Sequence, residues 1–137
     1  MPSIDLVDET YIAAAPERVA AIVHEKQRWS EWFPKIELTV FMDRDEKGIR
    51  WSASGDYVGS VELWVEPFGD GTILHHYLRV DPTVSGTNQE PQPYPDTLAG
   101  RRQGSKERVA RANHWKAKAW ALKDELEGDR KAGEKAS

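Results

Sequence analysis

The chain contains 137 residues, a length typical of one globular domain, with six tryptophans and no cysteine. The lack of cysteine excludes disulfide frameworks, thiol catalysis and Cys-ligated metal centres. The formal net charge is −4, but residues 1–100 carry 17 acidic and 8 basic side chains, whereas residues 101–137 carry 6 acidic and 11 basic ones.

The chain shows no pattern of a secreted or membrane-spanning protein. No window approaches about 18 consecutive apolar residues, and residues 1–5 lack a basic region followed by an apolar one. We therefore expect a soluble, cytoplasmic protein without a membrane span. Residues 1–128 are expected to form a single domain, and the charged residues 129–137 a frayed tail.

The N-terminal third predicts one strand and two short helices. Residues 4–12 contain β-favouring side chains with acids on both faces, which indicates a strand that is not buried on both sides. Pro16 followed by an acid favours a helix start, and the apolar pattern continues to about Glu25. Residues 27–34 predict a second short helix that ends at Pro34.

The middle of the chain predicts an antiparallel meander of four strands. Apolar and polar side chains alternate over residues 36–42, 49–54, 61–66 and 73–80. The turn Phe68-Gly69-Asp70-Gly71 is a strong hairpin signal, because glycine readily adopts positive φ.

The last third predicts a loop and a long helix. Residues 81–100 are rich in proline, glycine and polar side chains, which is typical of a long loop. From about Ser105 to Gly128 an apolar stripe follows helical spacing. The stripe consists of Val109, Ala112, Trp115, Ala119, Leu122 and Leu126.

Three stretches in this order carry a resemblance to a known family. They are Ile12-Ala13-Ala14-Ala15-Pro16-Glu17-Arg18-Val19, Trp29-Ser30-Glu31-Trp32-Phe33-Pro34, and the hairpin from Val58 to Asp81-Pro82. The chain thereby resembles the START-like (SRPBCC) superfamily, and in particular small actinobacterial proteins of the polyketide cyclase/dehydrase type. The resemblance implies an α+β helix-grip (Bet v 1-like) fold, in which an antiparallel sheet wraps around a long C-terminal helix.

The chain departs from the family pattern in its number of strands. Members usually have six strands after the two small helices, and only four are predicted here. A sheet shortened by two strands leaves either a small, open cavity or an exposed edge that a second subunit covers. A homodimer is therefore a possible partner arrangement. Trp64 and Trp120 fall outside the core pattern and are candidates for its contact.

The resemblance implies an apolar pocket between the sheet and the C-terminal helix. We predict binding of a hydrophobic small molecule there, such as a lipid or an aromatic polyketide. The alternative is that the tryptophans simply fill the core of a small sheet. The predicted ligand-binding residues are Trp32, Phe33, Leu38, Val40, Trp51, Leu63, Leu78, Trp115, Ala119 and Leu122.

His76 is the titratable residue that alternation places among apolar neighbours on the inner face. A buried imidazole could act as general acid or base in a polyketide aromatase/cyclase, with Asp8 on the first strand to orient it. The alternative is a core histidine satisfied by one hydrogen bond. His24 and His114 are expected at the surface. No metal site is predicted, since His75 and His76 point to opposite faces, and no cofactor is predicted.

The basic segment from Arg101 to Arg111 leaves a third hypothesis open. It could bind a protein or a nucleic acid, or it could form the solvated face of an amphipathic helix. Nucleic acid is the less favoured partner, because no base-stacking aromatic side chains are interleaved with these charges.

Overall fold

A computed structural model describes residues 2–128; the predicted tail, 129–137, lies outside the described residues. Within these described residues, five strands and three α-helices follow one another. They are β1 (Ile4–Ile12), α1 (Pro16–Val23), α2 (Trp29–Trp32), β2 (Ile36–Asp43), β3 (Gly48–Gly55), β4 (Tyr57–Phe68), β5 (Gly71–Pro82) and α3 (Leu98–Glu127).

The strands form one antiparallel sheet in the order β1-β5-β4-β3-β2. The predicted meander of four strands is therefore confirmed, and β1 joins it next to the last strand. In this register Asp8 on β1 lies opposite His76 on β5. The α+β helix-grip prediction with a shortened sheet is confirmed within residues 2–128.

The core lies between the inner face of the sheet and helix α3. Alternate residues of β4 and β5 are buried on that face, as the period-two pattern predicted. Trp115, Ala119 and Leu122 of α3 are buried against them. Helices α1 and α2 close one side of this core through Val19, Val23 and the α2 tryptophans.

Helix α3 begins earlier than the sequence predicted, at Leu98 instead of about Ser105. The Thr97 side chain caps its start by accepting a hydrogen bond from the Gly100 N–H at 3.0 Å. A Cβ on Gly100 would lie 2.0 Å from the Pro95 carbonyl oxygen, so glycine lets the preceding loop pack onto the helix. Gly100 in this first turn was interpreted as the end of the preceding loop, which explains the error.

The buried stripe of α3 also differs from the predicted one. Val109 and Ala112 are exposed, whereas Gly104 and Arg111 take buried positions above Trp115. Apolar residues at spacings of three and four occur on more than one face of this helix, so the spacing alone does not identify the buried face. The loop that packs onto Gly104 selects the face used here.

Side chains of α3 form hydrogen bonds with backbone groups on the outer edge of β1. Four of them bond backbone groups of this edge strand and its ends, which blocks pairing with another chain there. The contacts are Arg108 Nη1 to the Ser3 carbonyl (3.0 Å), Lys116 Nζ to the Glu9 carbonyl (3.2 Å), Lys123 Nζ to the Tyr11 carbonyl (2.8 Å), and Glu127 Oε2 from the Ala13 N–H (2.9 Å).

The opposite edge strand, β2, has no neighbouring strand on its outer side in residues 2–128. Val40 was predicted to face inward, but its residue is 47% exposed, and Phe41 is 63% exposed. A register shift between Val40 and Met42 interrupts the alternation. No helix in the described part of the chain is long and apolar enough to cross a membrane.

Candidate functional site

Three rings are stacked in the interior between the sheet and α3. The His76 ring lies 4.5 Å from the Trp115 ring and 5.7 Å from the Phe33 ring, at interplanar angles of 18° and 11°. Phe33 and Trp115 are also parallel, with centroids 5.9 Å apart. These rings occupy the space in which the sequence analysis expected a ligand.

His76 is 2% exposed, and its Nδ1 atom is buried without a hydrogen-bond partner. Burial lowers the pKa of His76 to about 4, although the nearby Asp8 carboxylate acts in the opposite direction. Asp8 does not orient the imidazole by a hydrogen bond. Its carboxylate instead accepts from the Trp115 indole N–H at 3.1 Å and from Lys116 Nζ at 3.0 Å.

The stability of the protein should fall as the pH decreases from about 6.5 to about 4 because of His76. An unfolded histidine binds a proton in this window and the buried one does not, so acid favours the unfolded state by up to about 3 kcal/mol. Urea denaturation of the wild type and of His76→Phe across this window would measure the effect. Identical pH dependence in the two proteins would contradict it.

The predicted ligand-binding residues lie mostly in the closed core. Leu38 is half-buried and Val40 is exposed, while the remaining eight are buried. Trp51 packs edge-on against Trp29 with ring centroids 4.9 Å apart. Five surface cavities within residues 2–128 are each lined by residues other than these ten.

One of these cavities, of about 310 Å³, opens between the sheet and helix α3. Its sides are the turn after α2, the first residues of β4 and the middle of α3. Lys35 in that turn has φ 66°, a left-handed conformation that non-glycine residues adopt rarely and often near functional sites. The lining residues are Pro34, Lys35, Asp56, Tyr57, Glu107, Ala110, Arg111 and His114.

A fixed polar cluster forms the wall of this cavity. Arg111 is only 9% exposed, and its guanidinium lies 4.7 Å above the centre of the Tyr57 ring. Arg111 donates to the Pro34 carbonyl at 2.8 Å and to Glu107 Oε1 at 3.3 Å. The Tyr57 hydroxyl donates to the same Glu107 oxygen at 2.7 Å.

The electrostatics of the cluster keep the Tyr57 hydroxyl neutral. Burial, followed by the hydrogen bond to the Glu107 carboxylate, raises the pKa of Tyr57 well above its usual value. Burial also raises the pKa of Tyr94, which packs beside it against the core. The cavity wall therefore offers a protonated phenol, a carboxylate and a guanidinium in fixed positions.

Sequence reasoning missed this cluster. Arg111 was treated as one of several solvated charges, whereas it is buried. His114, expected at the surface, is half-buried at the cavity and donates to the Glu31 carbonyl at 2.6 Å. One signal was present: Arg111 lies four residues before the buried Trp115 and four after Glu107. Such spacing places an ion pair directly above an apolar stripe.

The basic segment 101–111 is largely engaged within the chain. Arg101 pairs with Asp96 at 2.8 Å, Arg108 bonds the Ser3 carbonyl, and Arg111 is buried. Arg102 and Lys106 of the same segment are exposed, so binding of a protein or a nucleic acid by this segment stays a prediction. Within residues 2–128, no group of three or more His, Asp or Glu side chains is arranged to hold a metal ion.

Comparison with known proteins shows the fold. No protein-family model matches the chain, and no curated protein is detectably similar in sequence. A solved polyketide-cyclase-like protein of Corynebacterium glutamicum aligns with 95% of this chain and 97% of its own, at 19% identity and a TM-score of 0.55. The Aha1 dimer of Colwellia psychrerythraea aligns with 93% of this chain and 99% of its own, at 14% identity and a TM-score of 0.54. The chain therefore has the helix-grip fold, in which an antiparallel sheet packs against a long C-terminal helix.

Proposed function

We propose that the protein binds a hydrophobic small molecule that carries one polar group, in the cavity between β4 and α3. The observation that carries this proposal is the polar cluster of Tyr57, Glu107 and Arg111, which is held in place by hydrogen bonds at the wall of an open cavity. Ligand sites typically combine an apolar surface with a few fixed polar groups. Here Pro34, Ala110 and the Tyr57 ring supply the apolar surface, and the other lining side chains are polar or charged.

The cavity size limits the ligand. A volume of about 310 Å³ is at the lower end of the range for small-molecule sites, so a compact molecule fits better than a long lipid chain. Two of the five N–H donors of Arg111 serve Glu107 and the Pro34 carbonyl. Further donors on the same guanidinium are suited to a ligand oxygen, such as a carbonyl or a carboxylate.

The apolar part of the ligand would extend from Pro34 towards Trp32 and Phe33. Trp32 ends α2 and Phe33 follows it; both are buried, and Phe33 belongs to the stacked interior next to the cavity-lining Pro34. Ligand contact with the other predicted ligand-binding residues stays a prediction, and it would require Phe33 to move out of the core. The similarity to a polyketide-cyclase-like protein supports testing aromatic polyketides first.

Filling the cavity should abolish binding. Ala110 lines the cavity and is exposed, so Ala110→Trp is expected to block it without disturbing the core. The matched control is Ala121→Trp, an exposed position on α3 away from the cavity. The measurements are native mass spectrometry of freshly purified protein and tryptophan-fluorescence quenching by lipids and aromatic polyketides. Lack of binding across the panel, or equal binding by both variants, would contradict the proposal.

An aromatase/cyclase activity that uses His76 is the alternative function. The observation in its favour is a neutral, buried imidazole whose Nδ1 lacks a partner and could accept a proton from a substrate. A pKa of about 4 makes this imidazole a weak base at neutral pH, which favours binding over catalysis. His76→Ala should abolish turnover of a cyclisable polyketide and spare its binding; unchanged turnover excludes this role.

We also propose that the chain forms a homodimer. Trp64, one of the two candidate contact residues, stacks on His75 with ring centroids 4.4 Å apart and is partly covered within its own chain. Trp120 is 60% exposed, which is unusual for a large aromatic side chain on a helix that packs on a core. The similarity to a protein solved as a dimer supports this state.

A further inference from the structure

The face of α3 that points away from the core carries seven exposed residues at spacings of four, three, four, four, three and four. This outer stripe lies opposite the buried stripe that contains Arg111, Trp115 and Leu122. Spacings of three and four are the pattern with which one helix packs along another. The outer stripe consists of Arg102, Lys106, Val109, Asn113, Ala117, Trp120 and Asp124.

The outer stripe is complementary to itself when two copies run antiparallel. With Asn113 on the two-fold axis, Arg102 faces Asp124 of the second copy and Lys106 faces its Trp120. Val109 faces Ala117, and Asn113 faces itself. Every position of the stripe thereby meets a chemically suitable partner, as an isologous interface requires.

We propose that the protein dimerises through this antiparallel pairing of α3 with a second copy of the chain. The proposal rests on the homodimer proposed above and identifies its surface. The Arg102–Asp124 pair forms twice and supplies charge complementarity. The Lys106–Trp120 pair is a cation–π contact that covers the exposed indole. The small Ala117 permits a close approach to Val109, and the Asn113 pair fixes the register.

Other arrangements of the same surface are less favourable. Parallel pairing places Arg102 against Arg102 and Asp124 against Asp124, so like charges meet at both ends. Shifting the antiparallel register by one heptad places Asp124 opposite Val109. The two-fold antiparallel register with Asn113 at the centre avoids both.

The open edge of β2 is the rival surface, because Phe41 is exposed there. Antiparallel pairing of this strand with its own copy about Val40 sets Glu37 opposite Asp43. Pairing about Phe41 joins only the end of the strand, from Thr39 to Asp43, because β2 ends at Asp43. The first arrangement brings two carboxylates together, which destabilises a strand pair, and the second leaves the first half of β2 unpaired. Helix α3 therefore offers a longer complementary surface than the sheet edge.

The interface is modest in size. The stripe from Arg102 to Asp124 spans roughly 33 Å of helix, so one helix pair predicts a dimer of about micromolar affinity. Its residues are distinct from those that line the ligand cavity. A substitution can therefore disrupt the dimer without changing the ligand site, so the two proposals can be tested separately.

A charge swap tests the pairing by analytical ultracentrifugation of the intact chain. Arg102→Asp and Asp124→Arg should each weaken dimerisation by about tenfold or more, because each introduces two like-charge contacts. The double variant should restore affinity to near the wild-type value. Phe41→Lys, at the rival β2 edge, is the control and should leave the dimer intact.

The oligomeric state of the wild type and the variants decides between the two proposals. A wild type that stays monomeric at about 100 times the expected dissociation constant overturns both the dimer and this interface. A dimer that dissociates in Phe41→Lys, or that the double variant does not restore, overturns the interface alone. Circular dichroism confirms that the exposed substitutions fold. Ligand binding, measured on the same variants by native mass spectrometry, reports on the proposed function separately.

Discussion

Replacing Trp115 by alanine is expected to lower the free energy of unfolding by about 4 kcal/mol. The indole stacks on Phe33 and His76 in the centre of the core, and its N–H donates to Asp8 at 3.1 Å. Alanine leaves a large cavity among rigid neighbours and an Asp8 carboxylate with one bond fewer. Because small domains have about 5–15 kcal/mol of stability, this loss is a large fraction of the total.

Trp120→Ala is the matched control for this measurement, since the same substitution occurs one and a half turns later on the opposite face of α3. It should change the free energy of unfolding by about 0.5 kcal/mol or less. Urea denaturation followed by far-UV circular dichroism, at a low protein concentration that keeps the chain monomeric, compares the two. Equal losses would contradict the assignment of Trp115 to the core and Trp120 to the surface.

Replacing Arg111 by methionine is expected to cost about 2–3 kcal/mol of stability and to abolish ligand binding. Methionine fills a similar volume, but the Pro34 carbonyl and the Glu107 carboxylate each lose a donor. The cation over the Tyr57 ring is lost as well. The cost stays below that of a fully buried ion pair because Glu107 keeps partial contact with water.

Arg101→Met provides the control, because Arg101 forms an exposed ion pair with Asp96 and should cost about 0.5 kcal/mol or less. A double variant, Glu107→Gln with Arg111→Met, should lose less than the two single variants together, because the residues interact directly. Thermal and urea unfolding measure the stability, and fluorescence quenching measures the binding. Wild-type binding by Arg111→Met would exclude this cluster as the polar end of the site.

Local patterns in the sequence were sufficient for most of the fold. Alternation identified β3, β4 and β5, because each buries one face, and the glycines of the Phe68–Gly71 turn identified the hairpin. Alternation failed at Val40, where the register shift of an unsupported edge strand breaks the period. The start of α3 was missed because glycine discourages a helix locally, while packing against Pro95 favours it here.

The candidate site depended much less on local pattern. The family resemblance implied that β1 pairs with the last strand, and Asp8 does lie opposite His76 in that pairing. The expected hydrogen bond between them is absent, because the Asp8 carboxylate binds Trp115 and Lys116 instead. The cavity, however, joins residues from α2, β4 and α3 that are far apart in the chain. The sequence around Arg111 does not distinguish it from an exposed surface charge. Its partners Tyr57 and the Pro34 carbonyl come from distant segments, and only the fold brings them to it.

The sequence by itself therefore determined the order of elements, the inner face of the sheet and the aromatic character of the core. These features follow from periodicity and composition, which act between near neighbours. Only the tertiary structure decided that the rings of Phe33, His76 and Trp115 fill the interior and that the open space lies beside Arg111. The physical reason is that close packing and charge burial depend on contacts between distant segments, which no local pattern encodes.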